Sequence, residues 1–284
     1  MRTVGVLGFG SMGAGIVDLC ARAGLSVLVL EQSQERLDAG HRAIREFHAA
    51  GAARGATDPA LLEQVTERIT GILDPAALAD ADLIIEAVTE DENIKADVLT
   101  RISAHVRADC VIASNTSGLS VARLATYVSH PERFGGLHFF NPAQLMRLVE
   151  VIRPIQADQS TVQTLVAFAE QIGRHPVVVK DRPGFLVNHL LIPYLNQAIQ
   201  EYDDGLASCA DMATAVKLGL GYPMGPLQLL DRIGLDTHLH ASDVIHAETA
   251  DPRFAAPAML RELVAAGRLG RKTGSGISDL EDPR

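Results

Sequence analysis

The residues best suited to chemistry lie in one stretch of the chain. Ser114-Asn115-Thr116-Ser117 is followed by Gly136-Leu137-His138-Phe139-Phe140-Asn141-Pro142, and then by Val149-Glu150-Val151. A hydroxyl, an imidazole and a carboxylate therefore come near the ends of successive short apolar runs. Imidazole exchanges protons near neutral pH, and a neighbouring carboxylate fixes its tautomer and stabilises its protonated form. A carboxylate between Val149 and Val151 is costly unless it is exposed or paired. Beside a bound nicotinamide, this trio suits alcohol oxidation by hydride transfer.

Such chemistry needs a dinucleotide, and the N-terminus offers a cradle for one. Gly8-Phe9-Gly10-Ser11-Met12-Gly13 matches G-x-G-x-x-G. It follows the apolar run Val4 to Leu7 and opens a helix expected from Ser11 to Ala23. Gly8 allows the tight turn, Gly10 lets the backbone approach a pyrophosphate, and Gly13 lets helix and strand pack closely. The helix start at Ser11 and Met12 turns unpaired N–H groups and a positive partial charge towards the phosphates. Glu31 ends the second apolar run, Ser26 to Leu30. It can accept hydrogen bonds from a ribose and would repel a 2′-phosphate, so NAD is the expected cofactor.

The positioning elements follow from the pattern. Strand, glycine turn, helix and strand form a right-handed βαβ unit. Residues 34–70 break the alternation and read as an inserted helix pair, Glu35 to Ala53 and Pro59 to Ile69. Asp82 to Val88 and Cys110 to Ala113 read as buried strands of a parallel sheet. Phe134 to Phe140, Leu148 to Ile152 and Pro176 to Val179 complete the sheet. Asp181-Arg182-Pro183-Gly184 punctuates the chain, and strand patterns stop there. Phe185 to Tyr202, Cys209 to Leu218, Pro226 to Ala247 and Ala258 to Ala266 read as helices. The expected fold is α/β: a Rossmann-type doubly wound sheet domain over residues 1–182, then an all-α domain over 183–284.

Composition narrows the class. The chain has 284 residues, 47% of them apolar, enough for a packed core. With 25 basic and 35 acidic residues its net charge is −10, which argues against nucleic-acid binding. No run is long and apolar enough for a membrane span, and the N-terminus enters a strand at once, so a cytoplasmic protein is expected. Cys20, Cys110 and Cys209 have no metal-binding spacing and are expected to be reduced thiols, with no metal site. His41, His48, His175, His189, His238 and His240 carry no special sequence context.

These residues together resemble the L-3-hydroxyacyl-CoA dehydrogenase and 3-hydroxybutyryl-CoA dehydrogenase family, from Val4 to about Gly276. The matching segments are Gly8 to Gly15, Ile85-Glu86-Ala87-Val88, Ser114 to Ser117, Arg133 to Pro142, Leu148 to Ile152 and Asp181 to Asn188. Lys217-Leu218-Gly219 and Gly221-Tyr222-Pro223-Met224-Gly225-Pro226 extend the match into the second domain. The resemblance implies an NAD-dependent enzyme that interconverts 3-hydroxyacyl and 3-oxoacyl thioesters. It implies that His138 is the acid–base residue, Glu150 its partner, and Ser117 a contact to the substrate oxygen. Asn188 would close the site from the helical domain, and Asn141 completes His-Phe-Phe-Asn. Glu90 and Lys95, and with them Asn115 and Asn141, would lie at the cofactor. A homodimer is expected, built on the helical domain.

The chain departs from the family pattern in two places. The family commonly has a Lys-Gly-Lys-like element that contacts CoA; here Arg54-Gly55-Ala56 stands in its place, which leaves Arg54 as the basic contact. The family tail runs Gly-Phe-Tyr after Lys-Thr-Gly; here Lys272-Thr273-Gly274-Ser275-Gly276 continues into Ile277-Ser278. Acyl-CoA is the expected substrate. The alternatives are an acyl group on an acyl carrier protein, or a free hydroxy or sugar acid. A non-catalytic binding protein on this fold would require a broken dyad. The β-hydroxyacid enzymes with a catalytic lysine share the loop but lack the segment around His138.

Overall fold

The computed structural model describes residues 1–280. The chain divides into two compact units, residues 1–182 and the residues from Pro183 onward.

The first unit is built on one sheet. Its elements run β1 (Thr3–Leu7), α1 (Ser11–Arg22), β2 (Ser26–Leu30), α2 (Gln34–Ala53), α3 (Leu61–Thr66), β3 (Ile69–Ile72), β4 (Leu83–Glu86), α4 (Glu92–Ser103) and β5 (Val111–Ser114). They continue with α5 (Val121–Leu124), β6 (Phe134–Phe139), β7 (Leu148–Arg153), α6 (Gln159–Gln171) and β8 (His175–Lys180). The sheet order is β3-β2-β1-β4-β5-β6-β7-β8. Val4, Val6, Val27, Val29, Leu83, Ile85 and Leu137 are buried in its core, which is why these strands read as nearly unbroken apolar runs. Side-chain caps set two helix starts: Ser33 Oγ accepts from Arg36 N–H, and Asp91 Oδ1 accepts from Asn93 and Ile94 N–H.

Two expectations for this unit need correction. The inserted helix pair is present, but its second helix is short and ends at Thr66. Ile69 starts β3, which pairs in parallel with β2 at the sheet edge. Four residues carry too weak a local signal to announce a strand, and the backbone of β2 supplies its hydrogen-bond partners. The sheet is also not parallel throughout, because β6 and β7 run antiparallel. The short link between them allows a direct return, whereas a parallel crossover needs a dozen or more residues.

The second unit is helical: α7 (Val187–Asp203), α8 (Cys209–Leu220), α9 (Pro226–Ile233), α10 (Leu235–Thr249) and α11 (Ala258–Ala265). Its core gathers Leu195, Ile199, Tyr202, Leu227, Leu230, Leu235, Leu260 and Ile277. The single helix expected over 226–247 is two helices, because Gly234 takes φ +101° and breaks it. Phe185 does not begin α7; it has φ 49°, and the helix starts at Val187. Asp231 fastens the tail by accepting from Ile277 N–H at 2.9 Å and Ser278 N–H at 3.0 Å. Ile277 is fully buried where the family resemblance leads one to expect an aromatic residue.

Candidate active site

The winding of the sheet reverses between β1 and β4, and ligands of such sheets collect beyond the carboxyl ends of the strands at that point. Gly8 leaves β1 with φ +95°, and a Cβ on it would lie 2.9 Å from the carbonyl oxygen of Ala87. A Cβ on Gly13 would lie 2.0 Å from the Gly8 oxygen, so only glycine permits this turn and helix start. Gly10 has the opposite surroundings: nothing lies within 4 Å of where its Cβ would be. Gly10 is the N-cap of α1 and supplies no side-chain acceptor to the first turn, where Ser11 is exposed and Met12 half-buried. Glu31 Oε1 accepts from Phe9 N–H at 2.6 Å, which pins the carboxylate to the loop. An open glycine face, uncapped N–H groups and a carboxylate at the end of β2 fit a dinucleotide. Its pyrophosphate would lie over Gly10, Ser11 and Met12, and a ribose would meet Glu31.

Beneath the neighbouring strand exits lies a buried charge network. Lys95 on α4 is 1% exposed, and its ammonium donates to Glu86 Oε1 at 2.7 Å and to the Val88 carbonyl at 3.3 Å. It also lies 3.2 Å from Glu90 Oε2. Glu86 Oε1 accepts from Val88 N–H, and Oε2 accepts from Ser114 Oγ at 2.5 Å. Glu90 Oε1 accepts from Thr116 Oγ1 at 2.6 Å, Ser117 N–H at 2.8 Å, Ser117 Oγ at 3.2 Å and Gly118 N–H at 3.2 Å. Burial pushes the Glu90 carboxyl up, but Lys95 and these donors outweigh burial and hold it below the usual carboxylate range. Lys95, expected near the cofactor, is buried under the loop, where it bonds Glu86 and lies beside Glu90, whose other oxygen holds the segment that carries Ser117.

His138 and Glu150 meet across the antiparallel ladder. They are register partners on β6 and β7, and His138 Nδ1 lies 2.7 Å from Glu150 Oε2. Glu150 is fully buried and His138 nearly so. The expectation that a carboxylate in this apolar run must be paired is met by that bond. Asn115 Oδ1 accepts from Phe139 N–H at 2.9 Å, which ties the exit of β5 to the residue after His138. The Phe140 ring packs against the imidazole, with centroids 4.5 Å apart.

A pocket of about 520 Å³ opens beside the glycine loop, lined by Phe9, Gly10, Ser11, Ala39, Ala43, Phe47, Asn141 and Gln144 among others. Ala39, Ala43 and Phe47 recur every four residues and form one stripe of α2. Arg54, the exposed C-cap of that helix, comes seven residues after Phe47 and so extends the same stripe. Asn188 lies in the second unit, half-buried in the first turn of α7.

Sequence reasoning quoted Glu86 and Ser114 within matching segments without giving them a role, and passed over Gln144. For Glu86 a signal existed: an acid at the end of Leu83-Ile84-Ile85 poses the same pairing requirement as Glu150. It also missed two buried histidines. His48 Nε2 lies 2.7 Å from Asp18 Oδ1, and His238 Nε2 lies 2.9 Å from Asn196 Oδ1.

Known proteins are similar to this chain over most of its length. Residues 3–182 match the model of the 3-hydroxyacyl-CoA dehydrogenase NAD binding domain, and residues 184–280 match that family's C-terminal domain. A probable 3-hydroxybutyryl-CoA dehydrogenase of Deinococcus radiodurans is 40% identical, over 96% of this chain and 98% of its own length. The mitochondrial hydroxyacyl-coenzyme A dehydrogenase of Sus scrofa is 38% identical, over 98% of this chain and 90% of its own. The crystal structure of (S)-3-hydroxybutyryl-CoA dehydrogenase PaaH1 from Ralstonia eutropha superposes with a TM-score of 0.91 at 40% identity, covering 97% of this chain and 98% of that one. With both units matched nearly end to end, the chain belongs to the 3-hydroxyacyl-CoA dehydrogenase family, and its first unit is that family's NAD-binding domain.

Proposed function

We propose that the protein interconverts a 3-hydroxyacyl-CoA and the corresponding 3-oxoacyl-CoA. The observation that carries this reading is the buried His138–Glu150 pair, at 2.7 Å, on β6 and β7 of the sheet whose β1 carries the nucleotide loop. Glu150 accepts the Nδ1 proton of His138, which leaves Nε2 as the nitrogen that takes the proton from the substrate 3-hydroxyl. The Glu150 charge then stabilises the imidazolium. Bound NAD supplies the acceptor for the hydride that leaves C3. Ser117, on the loop organised by Glu90, contacts the substrate oxygen. In the reverse direction the same imidazolium returns its proton to the 3-oxo group.

The α2 wall of the pocket, with Gly10 and Ser11 left to the dinucleotide, suits the pantetheine arm of a thioester. The pocket is apolar at Phe9, Ala39, Ala43 and Phe47, with amide groups at Asn141 and Gln144. Continuing the stripe brings an extended arm to Arg54, a single cation for the phosphate end of CoA. The test compares acetoacetyl-CoA, acetoacetyl on an acyl carrier protein, and free acetoacetate, each with NADH. The highest kcat/KM is expected with acetoacetyl-CoA. A clear preference for the carrier protein would move the substrate to that thioester, and activity confined to the free acid would overturn the thioester reading.

A homodimer through the second unit is part of this proposal. Of α8 only Ala213 is buried, while Leu218 is 84% and Leu220 62% exposed, an apolar surface that a second copy would cover.

A further inference from the structure

The helix that walls the pocket is held by few groups. The buried residues of α2 are Leu37, Gly40, Ile44, His48 and Gly51, and two of these five have no side chain. Gly40 rests on the ring of Phe9, where a Cβ would come within 2.1 Å of the ring carbon Cγ. That contact and the burial of Leu37 and Ile44 are apolar and non-directional, so by themselves they hold the helix down without fixing its rotation. Directional contacts come from the His41 ring, edge-on to Phe9 with centroids 5.2 Å apart, and from a hydrogen bond to α1. His48 Nε2 lies 2.7 Å from Asp18 Oδ1 on α1, with His48 3% exposed and Asp18 fully buried. The other Asp18 oxygen lies 3.7 Å from Arg22 Nη1. A buried polar pair of this kind is seldom needed for stability, since apolar residues of equal volume pack as well; its attested use is to fix register.

The register fixed here is that of the pocket wall. Phe47 precedes His48, and each residue turns a helix by about 100°, so the rotation that seats His48 on Asp18 also aims Phe47, Ala43 and Ala39 into the pocket. On the far side, Gln144 lines the same pocket, and its carbonyl accepts from Arg174 Nη2 at 3.0 Å. A Cβ on Gly15 of α1 would lie 2.9 Å from the Gln144 side-chain oxygen. Both walls thus rest on α1, one through Asp18 and the other at Gly15.

We propose that the Asp18–His48 bond is a positioning device for substrate: it fixes the rotation of α2 and so holds Phe47 as the wall against which the thioester arm lies. This rests on the reading of that pocket given above. Neither residue touches the reacting atoms, so the bond governs capture of the arm and not the proton or hydride steps.

The test uses the full-length protein, acetoacetyl-CoA and NADH. Asp18→Ala combined with His48→Leu replaces the bonded pair by apolar side chains, and Asp18→Asn keeps an oxygen that accepts from Nε2–H. For the folded double variant, KM for acetoacetyl-CoA should rise about tenfold or more, with kcat and KM for NADH within about twofold of wild type, the signature of lost uniform binding. Hydrogen exchange should quicken in α2 and stay unchanged in β1, and Asp18→Asn should restore wild-type KM. A folded double variant with unchanged thioester KM and unchanged exchange in α2 overturns the proposal, as does one whose NADH KM rises equally. If the double variant does not fold, Asp18→Asn and His48→Gln carry the same comparison, and a thioester KM unmoved by His48→Gln despite faster exchange in α2 overturns it. A wild type inactive on every thioester sinks the substrate reading instead. The positioning role of the bond is then decided by whether exchange in α2 alone responds to its loss.

Discussion

Glu150 stands directly opposite His138 across the β6–β7 ladder, and its Oε2 lies 2.7 Å from the imidazole Nδ1. The pairing depends on β7 running antiparallel to β6. It places a carboxylate with no exposed surface behind the imidazole, so the charge that steadies the protonated ring is itself shielded from water.

Replacing His138 removes the proposed proton acceptor. His138→Gln should lower kcat by ~10²–10⁴-fold, the usual size of general acid–base catalysis. NADH affinity, measured by fluorescence titration, should stay close to wild type because the glycine loop proposed for the phosphates is unchanged. A variant that retains a tenth of wild-type turnover, under conditions where chemistry limits the rate, would remove His138 from its role.

Glu150→Gln tests the charge separately from the shape. The amide oxygen can still accept from Nδ1–H, but the imidazolium loses its counter-charge. Turnover should fall by ~10²-fold or more while circular dichroism stays native. Unchanged turnover in a folded variant would show that the pairing is only structural.

Glu31 should set the choice between NADH and NADPH. Its carboxylate is fixed by Phe9 N–H and would repel a 2′-phosphate. Glu31→Gln keeps an acceptor for Phe9 and drops the charge. The ratio of kcat/KM for NADH over NADPH should fall by about tenfold or more, in line with the loss of one close charge repulsion. A ratio that does not move would place the discrimination elsewhere.

His238 should make stability depend on pH. Burial in the second unit pushes it down from an ordinary value of 6.5 to about 4. The folded protein therefore keeps it neutral at pH values where the unfolded chain is protonated. Its contribution is complete above pH 6.5 and is lost as pH falls from 6.5 towards 4, by about 2 kcal/mol between pH 7.5 and 5. Thermal unfolding of wild type and His238→Thr at those two pH values checks this. The drop in Tm should be smaller in the variant, and equal drops would refute it.

The exposed leucines at the end of α8 should be covered in solution. Sedimentation velocity is expected to show a dimer, and Leu218→Lys together with Leu220→Lys should shift it to monomer without unfolding the chain. A monomeric wild type at micromolar concentration would rule out this surface as a stable interface.

Much of the molecule is written locally. The glycine loop, the βαβ start and the helical character after Pro183 are legible because each depends on neighbours a few residues apart: a turn that only glycine permits, a run buried on both faces, a stripe of helical period. His138 and Glu150 stand out for a similar reason, since an acid in an apolar run announces that it needs a partner. The family resemblance named the partner, and the tertiary structure supplies the contact between the two side chains. Short apolar runs suit parallel and antiparallel pairing equally, so the return of β7, the edge strand β3 and the break at Gly234 depend on contacts made far along the chain. The same holds for Lys95 under the Ser117 loop, and for His48 on Asp18 and His238 on Asn196. Each is a polar side chain whose hydrogen-bond partner comes from another element. Sequence fixes what each of these groups can do, and burial beside one particular neighbour decides what it does.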